Sequence, residues 1–193
     1  MQLSEEEKGV LLLGARDSIR SLFGQNKPPF IDYNYYTSLA QVGSGAFVTL
    51  TIRNRLRGCI GYITSPNTLF DTVCDAAKQA AVNDPRFYPL KEEEVNSLNI
   101  EISILSPLMP IANYEQIEIG KHGLVLDEPG IRALLLPQVA VENNFDLPGF
   151  LTALCEKAGI APFEWKNRQL NIKVFTAIVF SESEKRKKTY EQN

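Results

Sequence analysis

Residues 46–63 read AFVTLTIRNRLRGCIGYI, and this stretch decides the fold. Apolar and polar side chains alternate on both sides of a central Arg-Asn-Arg, the pattern of two half-buried strands joined by a turn. If Arg53 lies opposite Arg57, with 54–56 as a three-residue loop, the aliphatic residues share one face. The sequence therefore predicts a β-hairpin, whose other face carries Thr51, Arg53, Arg57 and Cys59.

Helical patterns flank the hairpin on both sides. Ser4 followed by Glu7, and Thr68 followed by Asp71, are capping patterns that precede apolar residues at helical spacing. The predicted helices cover residues 4–23, 68–82 and 148–158, with a short acidic helix beginning near residue 91.

Five further segments have the alternation or the β-branched composition of strands. Because helices are mixed irregularly with hairpin-type strands, the chain lacks the regular βαβ order of a parallel sheet. The predicted class is therefore α+β, with a mainly antiparallel sheet and packed helices. The predicted strands cover residues 99–105, 116–119, 124–126, 131–136 and 170–180.

The composition excludes several kinds of site. With one His and three Cys the chain cannot build a multi-histidine metal centre or a zinc finger, so neither a metal site nor a cofactor is expected. A net charge of −3 weighs against a broad nucleic-acid surface or a membrane surface.

Cys74 and Cys155 fall on apolar helix stripes and are expected in the core. Sparse cysteines without a leader or a long apolar run predict a cytoplasmic protein.

The charged run that begins near the C-terminus has two interpretations. Residues 184–188 read EKRKK, which is typical of a solvated segment, and nucleic-acid contact is the alternative. We expect a single domain over residues 1–184, followed by a charged tail over 185–193.

Cys59 differs from the other two cysteines because it lies on the polar face of the predicted hairpin. Arg57 is near it in the sequence, and guanidinium charge favours the thiolate, the nucleophilic form of the side chain. Gly58 and Gly61 leave room for a ligand or another backbone to approach. The alternative is that Cys59 only packs within a covered strand.

The single histidine is a second candidate for chemistry. His122 lies in the Gly-Lys-His-Gly loop at 120–123, from which an imidazole could act as a general acid or base. With Cys59 it would form a minimal pair for nucleophilic catalysis, although nothing in the spacing places the two in contact. The alternative is a local hydrogen bond within the loop.

Paired hairpin arginines require a negative partner. Arg53 and Arg57, if opposite one another, repel unless an anion or a carboxylate lies between them. Glu101, on the polar face of a predicted strand, could supply that carboxylate, and a bound phosphate or substrate carboxylate is the alternative. Gln138, next to a proline at a strand end, is either a site residue or a partner for local backbone groups.

Several separated motifs occur in a fixed order along the chain: LRGCIG at 56–61, DPRF at 84–87, IEIS at 100–103, GKHGL at 120–124 and LPQVA at 136–140, followed by Trp165. In this order they resemble the AMMECR family, named for the Alport syndrome, mental retardation, midface hypoplasia and elliptocytosis chromosomal region. One position departs from the family pattern, because Phe145 stands where a Trp is expected.

The resemblance implies a two-lobed α+β fold without an established biochemical activity. Family members occur near or fused to Memo-type and radical-SAM domains, which implies a role in a modification pathway and suggests such proteins as partners. The candidate catalytic residues are Cys59, Glu101 and His122. The candidate binding residues are Arg53, Arg57, Gly58, Gly61, Arg86, Phe87 and Gln138.

Two functional hypotheses follow. The first is an enzyme with a Cys/His cleft, in which Arg57 favours the thiolate of Cys59, His122 carries a proton and Glu101 orients one of these groups. The second is a non-catalytic module that recognises a partner protein or a small anion through the LRGCIG surface.

Overall fold

A computed structural model of the chain describes residues 2–25 and 30–183, so the tail predicted at 185–193 lies outside the described residues. It divides into two compact units. Unit 1 comprises Met1–Leu105 and Ile178–Asn193, and unit 2 comprises Ser106–Ala177. Each unit combines helices with a four-stranded sheet, which confirms the two-lobed α+β class.

The regular elements whose bounds lie within the described residues are α-helices, β-strands and short 3₁₀ helices, the last at Thr37–Ala40, Glu92–Ser97 and Tyr114–Gln116. The α-helices are α1 (Glu5–Ser21), α2 (Leu69–Val82), α3 (Pro137–Glu142), α4 (Leu147–Lys157) and α5 (Glu164–Asn167). The strands are β1 (Gly45–Ile52), β2 (Arg55–Tyr62), β3 (Leu98–Leu105), β4 (Met109–Pro110), β5 (Gly123–Glu128), β6 (Ile131–Leu135), β7 (Ile172–Phe175) and β8 (Ala177–Ser181).

Unit 1 is a sheet of strand order β2-β1-β3-β8 with α1 and α2 packed together and against it. Both helices begin at the predicted caps, since Ser4 accepts from the Glu7 amide and Thr68 from the Asp71 amide. Alternate aliphatic residues of β1 and β3 are buried in this core, as the period of two predicts. They are Val48, Leu50, Ile100, Ile102 and Ile104.

Unit 2 is a continuous segment inserted between β3 and β8, and it has a core of its own. Its sheet has the order β4-β7-β5-β6, and Phe150, Leu151 and Leu154 of α4 are buried in the core. The Ser106 amide donates to the Thr176 carbonyl oxygen at 2.9 Å, so the two ends of the segment are held together. Adjacent ends are typical of an inserted unit.

The hairpin forms, but the predicted register is wrong. Thr49 lies opposite Cys59, and the turn has two residues, Arg53 and Asn54, with φ of 51° and 61°. The register shifts between Leu50 and Thr51, which leaves Arg57 as the extra residue of a bulge. A two-residue turn with positive φ matches the twist of the strands better than the predicted loop. Because the shift is two residues, each residue of the 46–50 segment keeps its predicted face.

Two strand predictions in the second half of the chain are also wrong. Gln116 ends a 3₁₀ helix, residues 117–118 have no regular structure and a turn begins at residue 119, while the strand predicted over 170–180 is two strands. These two strands, β7 and β8, belong to different sheets, and Thr176 lies between them. Helices α3 and α5 were not predicted, because they have six and four residues and are too short for a periodic signal. Helix α3 begins at Pro137, a residue that is favoured at the first position of a helix.

Candidate binding cleft beside the motif strand

Side chains from the DPRF segment cover part of a sheet edge in unit 1. Strand β2 is an outer strand, so one side of its backbone faces away from β1. The Cys59 amide donates to Oδ2 of Asp84 at 2.8 Å, and the Cys59 carbonyl oxygen accepts from Nη2 of Arg86 at 3.3 Å. The two side chains therefore bind the groups that a neighbouring strand would bind, which protects the edge.

Asp84 holds this segment together. Its side chain is only 2% exposed, and it accepts from Nε of Arg86 at 3.0 Å and from Nη2 of Arg86 at 2.7 Å. These hydrogen bonds to Arg86 lower the pKa of Asp84 to about 2, against the opposing effect of burial. A buried carboxylate with this many donors is strongly held in its ionised form.

Arg57, at the bulge, donates hydrogen bonds to three groups of unit 1. Its Nε and Nη2 donate to the two carboxylate oxygens of Glu94 at 2.8 and 2.9 Å. Its Nη1 donates to the Tyr88 carbonyl oxygen at 3.0 Å, and Nη2 also donates to that of Pro89 at 3.4 Å. Arg57 thereby holds the pKa of Glu94 below its usual range. The carboxylate that binds Arg57 is thus Glu94, where the sequence suggested Glu101.

An open cleft with a volume of about 510 Å³ lies next to this network. Phe87 is half-buried, with the Arg86 guanidinium 5.5 Å from its ring centre, and Tyr88 is 91% exposed. The cleft is lined by Arg57, Arg86, Phe87, Tyr88, Pro89, Lys91, Glu93 and Glu94.

Cys59 is half-buried at the edge of this network, and its neighbours are polar. The Thr49 hydroxyl donates to Sγ of Cys59 at 3.3 Å. The pKa of Arg86 is raised, chiefly by its hydrogen bond to Asp84, and the Cys59 side chain contributes to the same shift. Arg86 is thus the arginine that binds Cys59, through the Cys59 carbonyl oxygen, whereas Arg57 is bound by Glu94. Glu101 lies opposite Thr49 on β3, so Cys59, Thr49 and Glu101 form one row across three strands.

The other two cysteines are buried, which confirms the expectation that they belong to the core. Burial raises the pKa of Cys74 to about 11 and also raises the pKa of Cys155. Neither thiol is poised for nucleophilic chemistry.

His122 lies in unit 2, whereas Cys59 lies in unit 1. It is 7% exposed, and its Nδ1 accepts from the Glu118 amide at 3.1 Å, while its own amide donates to the Glu118 carbonyl oxygen at 2.9 Å. These are the local hydrogen bonds of the alternative interpretation, and they close the turn before β5. A catalytic pairing of Cys59 with His122 stays a prediction.

The glycines of the motif strand allow close packing. A Cβ at Gly58 would overlap the Ala80 carbonyl oxygen of α2, and a Cβ at Gly61 would overlap the Phe47 side chain.

Arg53 is exposed in the hairpin turn and does not line the cleft. Gln138 lies in α3, and its buried Oε1 has no hydrogen-bond partner among residues 2–25 and 30–183. Whether any of these four residues binds a ligand stays a prediction.

Several lining residues were not among the candidates from sequence. The aromatic pair Phe87-Tyr88 between Pro85 and Pro89 is a local signal that could have pointed to Tyr88. Glu94 had no such signal, because its partner Arg57 is 37 residues away. The residues missed are Tyr88, Pro89, Lys91, Glu93 and Glu94.

The fold and the cleft define an α+β protein of two compact units, in which a glycine-containing edge strand and a Pro-flanked loop form a candidate binding surface. The AMMECR1 family model matches residues 12–180. The chain belongs to the AMMECR1 family.

Related chains match this one over most of its length. A protein of Methanosarcina acetivorans is 38% identical over an alignment of 189 residues, which covers 95% of this chain and 90% of the relative. A protein of Aquifex aeolicus is 41% identical over 72% of this chain and 75% of its own. The crystal structure of the uncharacterised protein PH0010 from Pyrococcus horikoshii has a TM-score of 0.86 and 34% identity, covering 94% of each chain. Among the described residues of this chain, no helix combines the length and the apolar character needed to cross a bilayer.

Proposed function

We propose that this protein is a binding module that recognises a segment of a partner protein in the cleft beside β2. The observation that carries the proposal is that the exposed Tyr88 and the half-buried Phe87 line one cleft, next to arginines held by hydrogen bonds to carboxylates. Exposed aromatic side chains next to a pocket are characteristic of protein interaction sites. Memo-like and radical-SAM proteins, which the family resemblance implies, are the first partners to test.

The hydrogen bonding of the motif residues supports a binding role. Arg57 and Arg86 are each bound by a carboxylate, so much of their donor capacity serves to fix the loop that carries Phe87 and Tyr88. A loop that is already ordered loses little conformational entropy when a partner binds. The motif residues thus prepare a surface, and binding does not require them to react.

An enzymatic role is the second candidate, and a specific observation favours it. The half-buried Cys59 thiol accepts a hydrogen bond from the Thr49 hydroxyl at 3.3 Å, and the Arg86 guanidinium binds the carbonyl oxygen of the same cysteine. A thiol beside a guanidinium can act as a nucleophile without a histidine.

The test is a peptide selection followed by a comparison of two tyrosine variants. Peptides selected from a random library on the wild-type protein are titrated against the wild type, Tyr88→Ser and Tyr35→Ser. Tyr35 is 70% exposed in the same unit and does not line the cleft, so it is the matched control.

We expect Tyr88→Ser to weaken binding by about tenfold, as for an interface residue whose truncation costs more than 1 kcal/mol. Tyr35→Ser should bind as the wild type does. Selected peptides that bind Tyr88→Ser as tightly as the wild type would contradict the proposed cleft.

A further inference from the structure

Most hydrogen-bond acceptors of the cleft are occupied by the protein itself, and the exposed Glu93 carboxylate, 3.9 Å from Lys91, is an exception. Arg57 binds the carbonyl oxygens of Tyr88 and Pro89 and both carboxylate oxygens of Glu94. Glu94 also accepts from the Lys91 amide at 2.9 Å. A ligand in the cleft therefore finds few of these acceptors open to its own donors.

Two cationic donors of the cleft remain open. Arg86 uses Nε and Nη2 for Asp84 and Cys59, and its Nη1 has no acceptor in the part of the chain that the structure describes. The Arg86 side chain is 55% exposed. The Lys91 side chain is 74% exposed, and its nearest carboxylate, Glu93, is 3.9 Å from Nζ. That separation is too long for a hydrogen bond, so the ammonium can bind another acceptor.

Formal charge alone does not explain a preference for an anion here. The charges of Arg57, Arg86 and Lys91 are balanced by those of Asp84, Glu93 and Glu94. Selectivity is set by the groups with free hydrogen-bonding capacity, and the open donors of two exposed cations, Arg86 and Lys91, outnumber the one open carboxylate, that of Glu93. An ionised acceptor forms the stronger hydrogen bond with such donors.

Three residues of the loop add apolar surface to the cleft. Phe87, Tyr88 and Pro89 lie in sequence between Arg86 and Lys91, so the two open donors flank the aromatic side chains along the loop. A ligand that uses both features needs an apolar group and a carboxylate near each other.

We infer that the cleft selects a partner segment in which an acidic side chain is adjacent to an aromatic or aliphatic one. This inference rests on the proposed binding function and specifies its ligand. The carboxylate binds Arg86 and Lys91, and the apolar side chain packs on Phe87 and Tyr88.

The test compares two blocked tetrapeptides that differ only in charge, acetyl-Gly-Phe-Glu-Gly-amide and its Gln counterpart. Each is titrated into the ¹⁵N-labelled protein, and the amide shifts of residues 86–91 report occupancy of the cleft. The acidic peptide should bind about fivefold tighter, since one added charge-assisted hydrogen bond contributes about 1 kcal/mol. Added salt should reduce this difference because the donors are exposed.

Two lysine variants test whether the preference arises in the cleft. Lys91→Gln should lower the preference for the acidic peptide to about twofold or less. Lys121→Gln is the control, because Lys121 is an exposed lysine of unit 2 that pairs with Glu118 and does not line the cleft. It should leave the preference unchanged. A preference that persists in Lys91→Gln would overturn the inference.

The outcomes separate this inference from the proposed function. Equal binding of both tetrapeptides with shifts at 86–91 overturns the charge preference but leaves a peptide-binding cleft. If 3-phenylpropionate binds the same amides more tightly than the acidic peptide, the ligand is a small carboxylate and the partner segment is wrong. If neither tetrapeptide shifts 86–91 while library-selected peptides do, the inferred ligand chemistry fails and the binding function stands.

Discussion

At the scale of single residues, Asp84 is the group on which the candidate site depends. It binds the backbone of Cys59 and the side chain of Arg86 from an almost completely buried position. One carboxylate thus connects the edge of β2 to the loop that carries Phe87 and Tyr88.

Replacing Asp84 by Asn should destabilise the protein by about 2 kcal/mol at pH 7, because a buried hydrogen bond to a charged group is lost. Urea unfolding followed by far-UV circular dichroism measures this difference. Glu93→Gln is the control, since the Glu93 carboxylate is exposed and its contact with Lys91, at 3.9 Å, is too long for a hydrogen bond. It should change the free energy of unfolding by less than about 0.5 kcal/mol.

The difference in the free energy of unfolding between the wild type and Asp84→Asn should depend on pH in a definite direction. The pKa of Asp84 is lowered in the folded protein from 3.8 to about 2, mainly by Arg86. The ionised carboxylate therefore stabilises the fold above its usual pKa, and this contribution is lost as the pH falls through the folded value. The difference between wild type and Asp84→Asn should narrow between pH 4 and pH 2; a constant difference over that range would contradict it.

The three cysteines should differ in reactivity. Under native conditions at pH 8, N-ethylmaleimide should modify Cys59 first, because Cys74 and Cys155 are buried and their pKa values are raised. Peptide mapping by mass spectrometry after timed labelling identifies the modified site. All three should react in urea, and native labelling of Cys74 as fast as that of Cys59 would show the prediction to be wrong.

At the scale of elements, β2 is held between α2 and the 84–89 loop. Gly58 lets the strand approach the Ala80 carbonyl of α2, and the bulge at Arg57 sets the contact with Glu94. A bulge changes the direction of a side chain and locally interrupts the hydrogen bonds between two strands. Here it gives Arg57 access to three acceptor groups.

Gly58→Ala should therefore destabilise unit 1 by about 2 to 3 kcal/mol, because the added methyl overlaps backbone atoms that cannot rotate away. Chemical denaturation monitored by circular dichroism tests this. The matched control is Gly149→Ala in α4, where the nearest atom to a Cβ is the end of the Asp146 side chain. Its effect should be within about 1 kcal/mol, and equal effects of the two substitutions would contradict the packing argument.

At the scale of the whole molecule, the chain forms two units from three segments. Unit 2 is continuous, and its ends are joined by a second hydrogen bond, from the Thr176 amide to the Ser106 hydroxyl. The only tryptophan, Trp165, lies in unit 2, where its Nε1 donates to the Thr152 hydroxyl at 3.1 Å. Its fluorescence therefore reports the state of unit 2.

A fragment of residues 106–177 should fold on its own, because it has a separate core and adjacent ends. We expect a cooperative urea transition in Trp165 fluorescence. Leu151→Ala in the fragment should lower its stability by about 3 kcal/mol, as for a buried leucine. Fluorescence typical of a solvated indole in the absence of urea would show that unit 2 needs the rest of the chain.

Local patterns predicted those parts of the fold that depend on neighbouring residues. The caps at Ser4 and Thr68, the period of two in β1 and β3, and the apolar stripes with Cys74 and Cys155 each act within a few residues. The sequence alone therefore determined the α+β class, most element positions and, through separated motifs, the family.

Only the tertiary structure decided which distant groups meet. It paired Arg57 with Glu94, joined Arg86 to the backbone of Cys59, and assigned Cys59 and His122 to different units. Such pairings depend on strand register, on a bulge and on the path of the 84–89 loop. A shift of register changes them while leaving the local sequence pattern the same, so no local pattern specifies them.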